Sequence, residues 1–286
     1  MGSMSMMQLL DMRVCALGEG PLWHPLQQRW YWFDIVNSRL LGRDDQATYA
    51  WQFDEMVSAA GWLDAEHLLV ASETQLFKFH MDSGRQEQVV ALESSNTITR
   101  SNDGRADPWG GFWIGTMGKN MEPGAGAIYR YYQGQLECLF SDITISNAIC
   151  FSHDKRFAYF TDSPSRQIKR QALDKNGWPT GLPDVHIDLS ATDLNPDGAV
   201  VDKQGYLWNA QWGAARIARY SPQGEFDLAL DCGATQVSCP AFGGVDMNLL
   251  MATTAAEGLG PEDPDAGRCF VADSAYVGHP EYQVKL

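Results

Sequence analysis

Gln75-Leu76-Phe77-Lys78-Phe79, Ala127-Ile128-Tyr129-Arg130-Tyr131 and Arg216-Ile217-Ala218-Arg219-Tyr220 alternate apolar and polar side chains with a period of two. That period predicts half-buried β-strands. Between these runs lie pairs of shorter apolar-aromatic segments, each pair joined by a Gly-, Asp- or Lys-containing turn and preceded by a polar residue. The pairing recurs. Glu19-Gly20-Pro21-Leu22-Trp23-His24 leads to Arg29-Trp30-Tyr31-Trp32-Phe33-Asp34, and Asn147-Ala148-Ile149-Cys150-Phe151 leads to Phe157-Ala158-Tyr159-Phe160-Thr161-Asp162. Ser101-Asn102-Asp103-Gly104 leads to Phe112-Trp113-Ile114-Gly115-Thr116, and Pro196-Asp197-Gly198-Ala199-Val200 leads to Tyr206-Leu207-Trp208-Asn209.

A tryptophan stands eleven residues after Glu19, Asn102 and Asp197, and an aspartate fifteen residues after Glu19 and Asn147. Weaker copies at Ala60-Gly61-Trp62 and Ala241-Phe242-Gly243 complete six units. They begin near residues 19, 60, 102, 147, 197 and 241, at spacings of 41, 42, 45, 50 and 44. Six copies of a four-strand unit predict a six-bladed β-propeller, an all-β fold with one four-stranded sheet per blade around a central channel. Residues 8–286 are expected to form it as a single domain. Residues 1–7, Met-rich and without strand pattern, resemble the remnant of an expression tag.

The innermost strand of each blade lines the channel, so equivalent repeat positions lie at equal depth. Glu19, Asn102, Asn147 and Asp197 are expected to share one phase and to converge at one end. Two carboxylates and two amides in a ring are hard oxygen donors suited to a divalent cation. The competing reading is that Asn-Gly and Asp-Gly pairs only form turns. Against it, Glu19 is no turn residue, and Asn147 precedes an alanine. Arg100 beside Asp103 reads either as a group at the channel mouth or as a structural ion pair.

The chain has 286 residues and a net charge of −15, with 44% hydrophobic and 20% charged residues. The acidic balance argues against nucleic acid and against an anionic membrane surface. No apolar run approaches the roughly 18 residues of a spanning helix, and the N-terminus lacks a basic region followed by an apolar core, so no signal peptide is expected. Six scattered cysteines without a C-x-x-C pair read as free, mostly buried thiols in a cytoplasmic protein. Neither H-E-x-x-H nor G-x-S-x-G occurs, and Gly124-Ala125-Gly126 is too short for a dinucleotide fingerprint.

At these same residues the sequence resembles the senescence marker protein / gluconolactonase / luciferin-regenerating enzyme family. The resemblance is carried by Gly18-Glu19-Gly20-Pro21-Leu22-Trp23, Arg100-Ser101-Asn102-Asp103-Gly104, Gly115-Thr116-Met117, Ser146-Asn147-Ala148, Pro196-Asp197-Gly198 and Phe242-Gly243-Gly244. It implies one divalent cation on the axis (Ca, Zn, Mn, Mg or Fe) held by Glu19, Asn147 and Asp197. It also implies substrate contacts from Arg100 and Asn102, and hydrolysis of a sugar-derived lactone to an aldonic acid. Asp197 is the candidate general base, with the cation as the alternative activator of water.

Where some members carry an acidic substrate contact, this chain reads Gly118-Lys119-Asn120-Met121-Glu122. Lys119 and Asn120 are expected to alter which sugar groups are recognised. Lys119 suits an extra anionic group, or is simply a solvated lysine on a loop. The rival functions are a metal-dependent esterase or phosphotriesterase-like hydrolase and a non-enzymatic calcium-binding propeller. The expected partner is the small lactone itself, with the protein a monomer or weak homo-oligomer.

Overall fold

The computed structural model describes residues 6–286; of the tag-like segment expected at residues 1–7, only Met6 and Met7 fall within them. A short strand, β1 (Gln8–Asp11), comes first. Five four-strand meanders and a three-strand meander follow, every adjacent pair antiparallel. The first blade is β2 (Gly18–His24), β3 (Arg29–Asp34), β4 (Arg39–Arg43) and β5 (Thr48–Gln52). The second is β6 (Val57–Trp62), β7 (His67–Ser72), β8 (Gln75–His80) and β9 (Gln86–Ala91). The third is β10 (Thr99–Ala106), β11 (Phe112–Gly118), β12 (Gly126–Tyr132) and β13 (Gln135–Ile143).

In the fourth blade β14 (Ser146–Phe151), β15 (Phe157–Asp162), β16 (Gln167–Ala172) and β17 (Asp184–Asp188) pair in order. The fifth is β18 (Asn195–Val201), β19 (Leu207–Trp212), β20 (Arg216–Tyr220) and β21 (Phe226–Asp231). The sixth has β22 (Val237–Gly243), β23 (Leu249–Thr254) and β24 (Cys269–Asp273), and takes β1 as its outermost strand, with Gln8 opposite Val271. This is the six-bladed propeller that the repeat predicts.

Burial falls from the axis outwards. Every residue of β14 is buried, whereas β5 alternates between exposed and half-buried. The repeat's aromatic positions fill the space between sheets: Trp32, Trp113 and Trp208 are fully buried. Trp113 meets Phe151 of the next blade edge to face at 5.3 Å, and Trp208 meets Phe242 at 5.8 Å. Large rings in this geometry are favoured beyond the area they bury. Five of the six cysteines are buried and all six are free, as the sequence suggests. No helix among the described residues is long and apolar enough to cross a membrane.

After β24 the chain crosses the face of the ring opposite the starts of the inner strands. The Lys203 N–H bonds to Val277 O, the Val284 N–H to Trp62 O and the Lys285 N–H to Gly110 O, so this strap touches the fifth, second and third blades in turn. Trp62 Nε1 donates to Glu281 O at 2.8 Å. The Glu281 carboxylate pairs with buried Arg105 of β10.

Candidate functional site

Each inner strand carries a β-bulge close to its start, and the polar anchors sit on these bulges. A bulge inserts one residue and re-aims side chains locally. Glu19 is the last paired residue before the bulge of β2, opposite Phe33, and Asn147 holds the same place in β14, opposite Thr161. The next residues, Gly20 and Ala148, have φ of 54° and 57°. Ala148 thus adopts the left-handed conformation usually left to glycine, and the alanine does not make this segment less turn-like.

Asn102 and Asp197 lie one position further on, inside the bulges that follow Ser101 and Pro196. The single shared phase expected from the sequence is therefore two adjacent phases. The reason is loop length: Trp30 pairs with Trp23, whereas Trp113 pairs with Arg105 and Trp208 with Val200, across hairpins one residue longer. Counting back from the tryptophan crosses that extra residue.

The one-residue offset does not separate the anchors. Asn102 Nδ2 donates to Asn147 Oδ1 at 3.1 Å and to Ser146 O at 2.8 Å. Arg100 Nη1 donates to Asn102 Oδ1 at 2.8 Å and to Ser101 O at 2.9 Å. Asn147 Nδ2 donates to Ser163 Oγ at 3.0 Å, and Ser163 Oγ donates to Pro196 O at 2.7 Å. A continuous polar chain thus runs from the third blade to the residue before Asp197. Ser163, in the short 3₁₀ turn after β15, is a member that its position outside the inner strand hides from repeat counting.

Glu19 and Asp197 share a side-chain hydrogen bond with each other. Glu19, Asn147, Asn102, Asp197 and Arg100 are 4%, 4%, 5%, 6% and 8% exposed. That is deep enough to exclude bulk water, yet not sealed. Burial pushes both Glu19 and Asp197 up; Asp103 pushes Glu19 further, with the Asp197 hydrogen bond opposing, and Glu19 and then Asp103 push Asp197 further. Two carboxyls so close oppose each other's ionisation.

Burial lowers the Arg100 pKa, opposed first by Glu19 and then by Glu257, Glu73 and Asp197. One step below the anchors, Asp103 is pushed up to about 6 by burial, with Arg105 opposing. Asp103 Oδ2 accepts the Ile149 N–H at 2.7 Å, while Arg105 donates to Ile149 O and Ala199 O, both at 3.2 Å. Asp103 therefore bonds to the neighbouring strand, and Arg100 bonds to Asn102 rather than forming a structural ion pair with it.

Among the described residues no group of three or more His, Cys, Asp and Glu side chains is arranged to hold a metal. A cation at the anchors would be offered two carboxylates, Glu19 and Asp197, and an amide oxygen, Asn147 Oδ1. That hard-oxygen set, with two buried carboxyls lacking a neutralising partner other than Arg100, fits a divalent cation.

Lys119 and Asn120 lie apart from this network, just past β11. Asn120 is exposed and its Nδ2 donates to Glu122 Oε1 at 3.0 Å. Lys119 is not freely solvated: its Nζ pairs with Glu73, at the turn between β7 and β8. Nothing in the spacing of the chain marks Glu73, because it belongs to a blade without a carboxylate or amide anchor. A surface groove of about 690 Å³, lined by His153, Tyr159, Arg170 and Lys203, lies at the opposite ends of the inner strands.

Residues 17–256 match the family model described as the SMP-30/Gluconolactonase/LRE-like region. A Rhizobium meliloti (strain 1021) protein whose name assigns it, provisionally, sugar lactone lactonase activity is 39% identical over 270 residues, 91% of each chain. L-arabinolactonase of Azospirillum brasilense is 34% identical over 274 residues, covering 92% of this chain and 90% of that one. A crystal structure described as a calcium-binding protein, regucalcin, from Agrobacterium tumefaciens superposes with a TM-score of 0.96 at 34% identity. It covers 99% of this chain and 98% of that chain.

Proposed function

The chain belongs to the SMP-30/gluconolactonase/LRE-like family, and on that premise we propose that it hydrolyses a sugar-derived lactone to the open aldonic acid, with a divalent cation held by Glu19, Asn147 and Asp197. The observation that carries the reading is the pair of buried carboxyls, Glu19 and Asp197, at the end of the channel that also holds the Arg100–Asn102–Asn147 chain and acting electrostatically on Arg100. Sugar lactonase activity in the names of relatives covering about nine-tenths of this chain supports the substrate class. The description of the Agrobacterium tumefaciens structure supports a cation of the calcium type.

A lactone is an activated ester, so no covalent nucleophile is needed. A divalent cation held by Glu19, Asn147 and Asp197 would supply Lewis-acid polarisation of the carbonyl. Asp197 accepts a proton from the attacking water as its oxygen bonds to the carbonyl carbon. The ring C–O bond then breaks, and the departing ring oxygen takes that proton back to become the hydroxyl of the aldonic acid. Arg100 and Asn102 hold the substrate's hydroxyls and carbonyl in place; their own geometry is fixed by the Arg100–Asn102–Asn147 chain, which limits the reorganisation needed at reaction. Lys119 and Asn120, just past β11, are assigned in this reading to the distal part of the sugar.

The test is proton release from gluconic, galactonic, xylonic and arabinonic lactones, using chelator-stripped protein supplemented in turn with Ca²⁺, Mg²⁺, Mn²⁺, Fe²⁺ and Zn²⁺. Cation-restored hydrolysis of at least one lactone is expected. Turnover only of simple esters or phosphotriesters moves the assignment to that class. Cation binding without turnover of any of these leaves a calcium-binding propeller, the reading that the Agrobacterium tumefaciens structure's description favours.

A further inference from the structure

The second strand of each blade ends where the inner strand begins, since Thr99 pairs with Gly118 and Val57 with Ser72. Glu73 and Lys119 each lie one residue past such an end, so neighbouring blades present a carboxylate and an ammonium at the same rim of the channel as the anchors. Both are mounted on pinned backbone: the Glu73 N–H donates to Met56 O at 3.0 Å and the Lys119 N–H to Ile98 O at 2.8 Å. Glu73 Oε2 accepts the Met56 N–H at 3.1 Å, leaving Oε1 to pair with Lys119 Nζ. The side chains are 15% and 34% exposed, which makes this a partly desolvated pair rather than a freely screened surface bridge. Glu73 also acts electrostatically on Arg100, alongside Glu19, Glu257 and Asp197.

We propose that Glu73 is a specificity-determining residue: by holding Lys119 in an ion pair it cancels the cation at the rim and biases the channel towards neutral polyhydroxy lactones over those bearing an extra anionic group. The inference deepens the lactonase reading and rests on it. Lys119 alone would welcome a phosphate or sulfonate. With Glu73 paired to it, an incoming anion meets a neutralised lysine and the carboxylates that surround Arg100, in a protein of net charge −15. Charge interactions at a half-buried rim are weaker than in a dry interior but stronger than in water.

Glu73→Gln keeps an oxygen to accept the Met56 N–H and removes the charge. With the cation-loaded protein, kcat/KM is measured for D-glucono-1,5-lactone and for its 6-phosphate. The ratio of phosphorylated to neutral substrate is expected to rise about tenfold in Glu73→Gln and to fall by a similar factor in Lys119→Met. Opposite shifts from two neighbouring substitutions are not what a merely structural pair produces. Lys119→Met, on the exposed partner, also serves if Glu73→Gln fails to fold. Ratios within twofold of wild type in both variants would overturn the proposal. If wild-type protein hydrolyses no lactone, the lactonase reading fails, and the same variants are judged by binding of D-glucitol against D-glucitol 6-phosphate. Opposite shifts in the ratio of Kd values still support the rim assignment; no shift, or no binding, overturns it.

Discussion

Asn102 donates its side-chain N–H to Asn147 Oδ1 at 3.1 Å, so an amide of the third blade sets the orientation of an amide in the fourth. The direction of that bond is fixed at both ends. Arg100 occupies Asn102 Oδ1, which forces the Asn102 NH₂ towards Asn147. Ser163 accepts from Asn147 Nδ2, which forces the Asn147 oxygen the other way. Neither amide can flip without breaking charge-assisted or buried bonds. The proposed amide ligand is thereby oriented by the residues proposed to bind substrate.

Asp197→Asn is expected to lower kcat by at least about a hundredfold with a smaller change in KM, because it would remove the proposed proton acceptor and leave only a neutral amide oxygen there for the cation. Asn102→Ala is expected to act mainly on KM. Initial rates on the best lactone of the panel, at saturating cation, check both; wild-type kcat in Asp197→Asn removes Asp197 from its role as base.

Adding a divalent cation to chelator-treated protein is expected to raise Tm, since a ligand bound only by the folded state stabilises it by about 2.7 kcal/mol at a hundredfold excess over Kd. The shift should shrink sharply in Glu19→Gln and Asp197→Asn and persist in Lys119→Met. A Tm indifferent to every cation tested would remove the cation from the site.

Glu281→Ala is expected to cost about 3–5 kcal/mol, the usual penalty for stranding a buried charge. Burial opposes the Arg105 charge, but Glu281 and the neighbouring Asp103 and cysteines hold its pKa above the ordinary value. Without Glu281 the guanidinium keeps two carbonyls and Asp103. The midpoint of urea unfolding reads the loss.

His186 is pushed down to about 4, chiefly by burial and then by Arg170, with Asp184 opposing. It stays neutral when folded, while the unfolded chain takes up its proton near pH 6.5. Its contribution is therefore full above pH 6.5 and is lost as pH falls towards 4. The drop in Tm from pH 7 to pH 5 should be smaller in His186→Gln than in wild type.

The ring was legible because its six units repeat, and because the buried tryptophans Trp30, Trp113 and Trp208 recur where sheets pack on one another. The depth of the anchors was legible only to within one residue. The aspartate spacing pairs Glu19 with Asn147 correctly: Asp34 Oδ1 accepts the Leu17 N–H and Asp162 Oδ1 the Ile145 N–H, both tying down the segment that enters the inner strand. The tryptophan spacing spans a hairpin whose length varies, and so it merges two phases. Glu73, Ser163 and Glu281 were not legible, because each reaches the channel from outside the repeated motif. Glu73 and Ser163 stand one residue past the second strands of their blades and Glu281 lies on a terminal strap, so none of them is marked by the polar anchors of the inner strands.

The pairing of Gln8 with Val271 has a consequence for biosynthesis. The sixth sheet takes its outer strand from the start of the chain, so ring closure must wait until both segments have left the ribosome. The two residues lie 263 positions apart in the chain, so translation at roughly 5–20 residues per second separates their emergence by on the order of 13–50 s. During that interval β1 has no sheet to join, and the outer edge of the last blade does not yet exist. The strand made first is among the last to find its place.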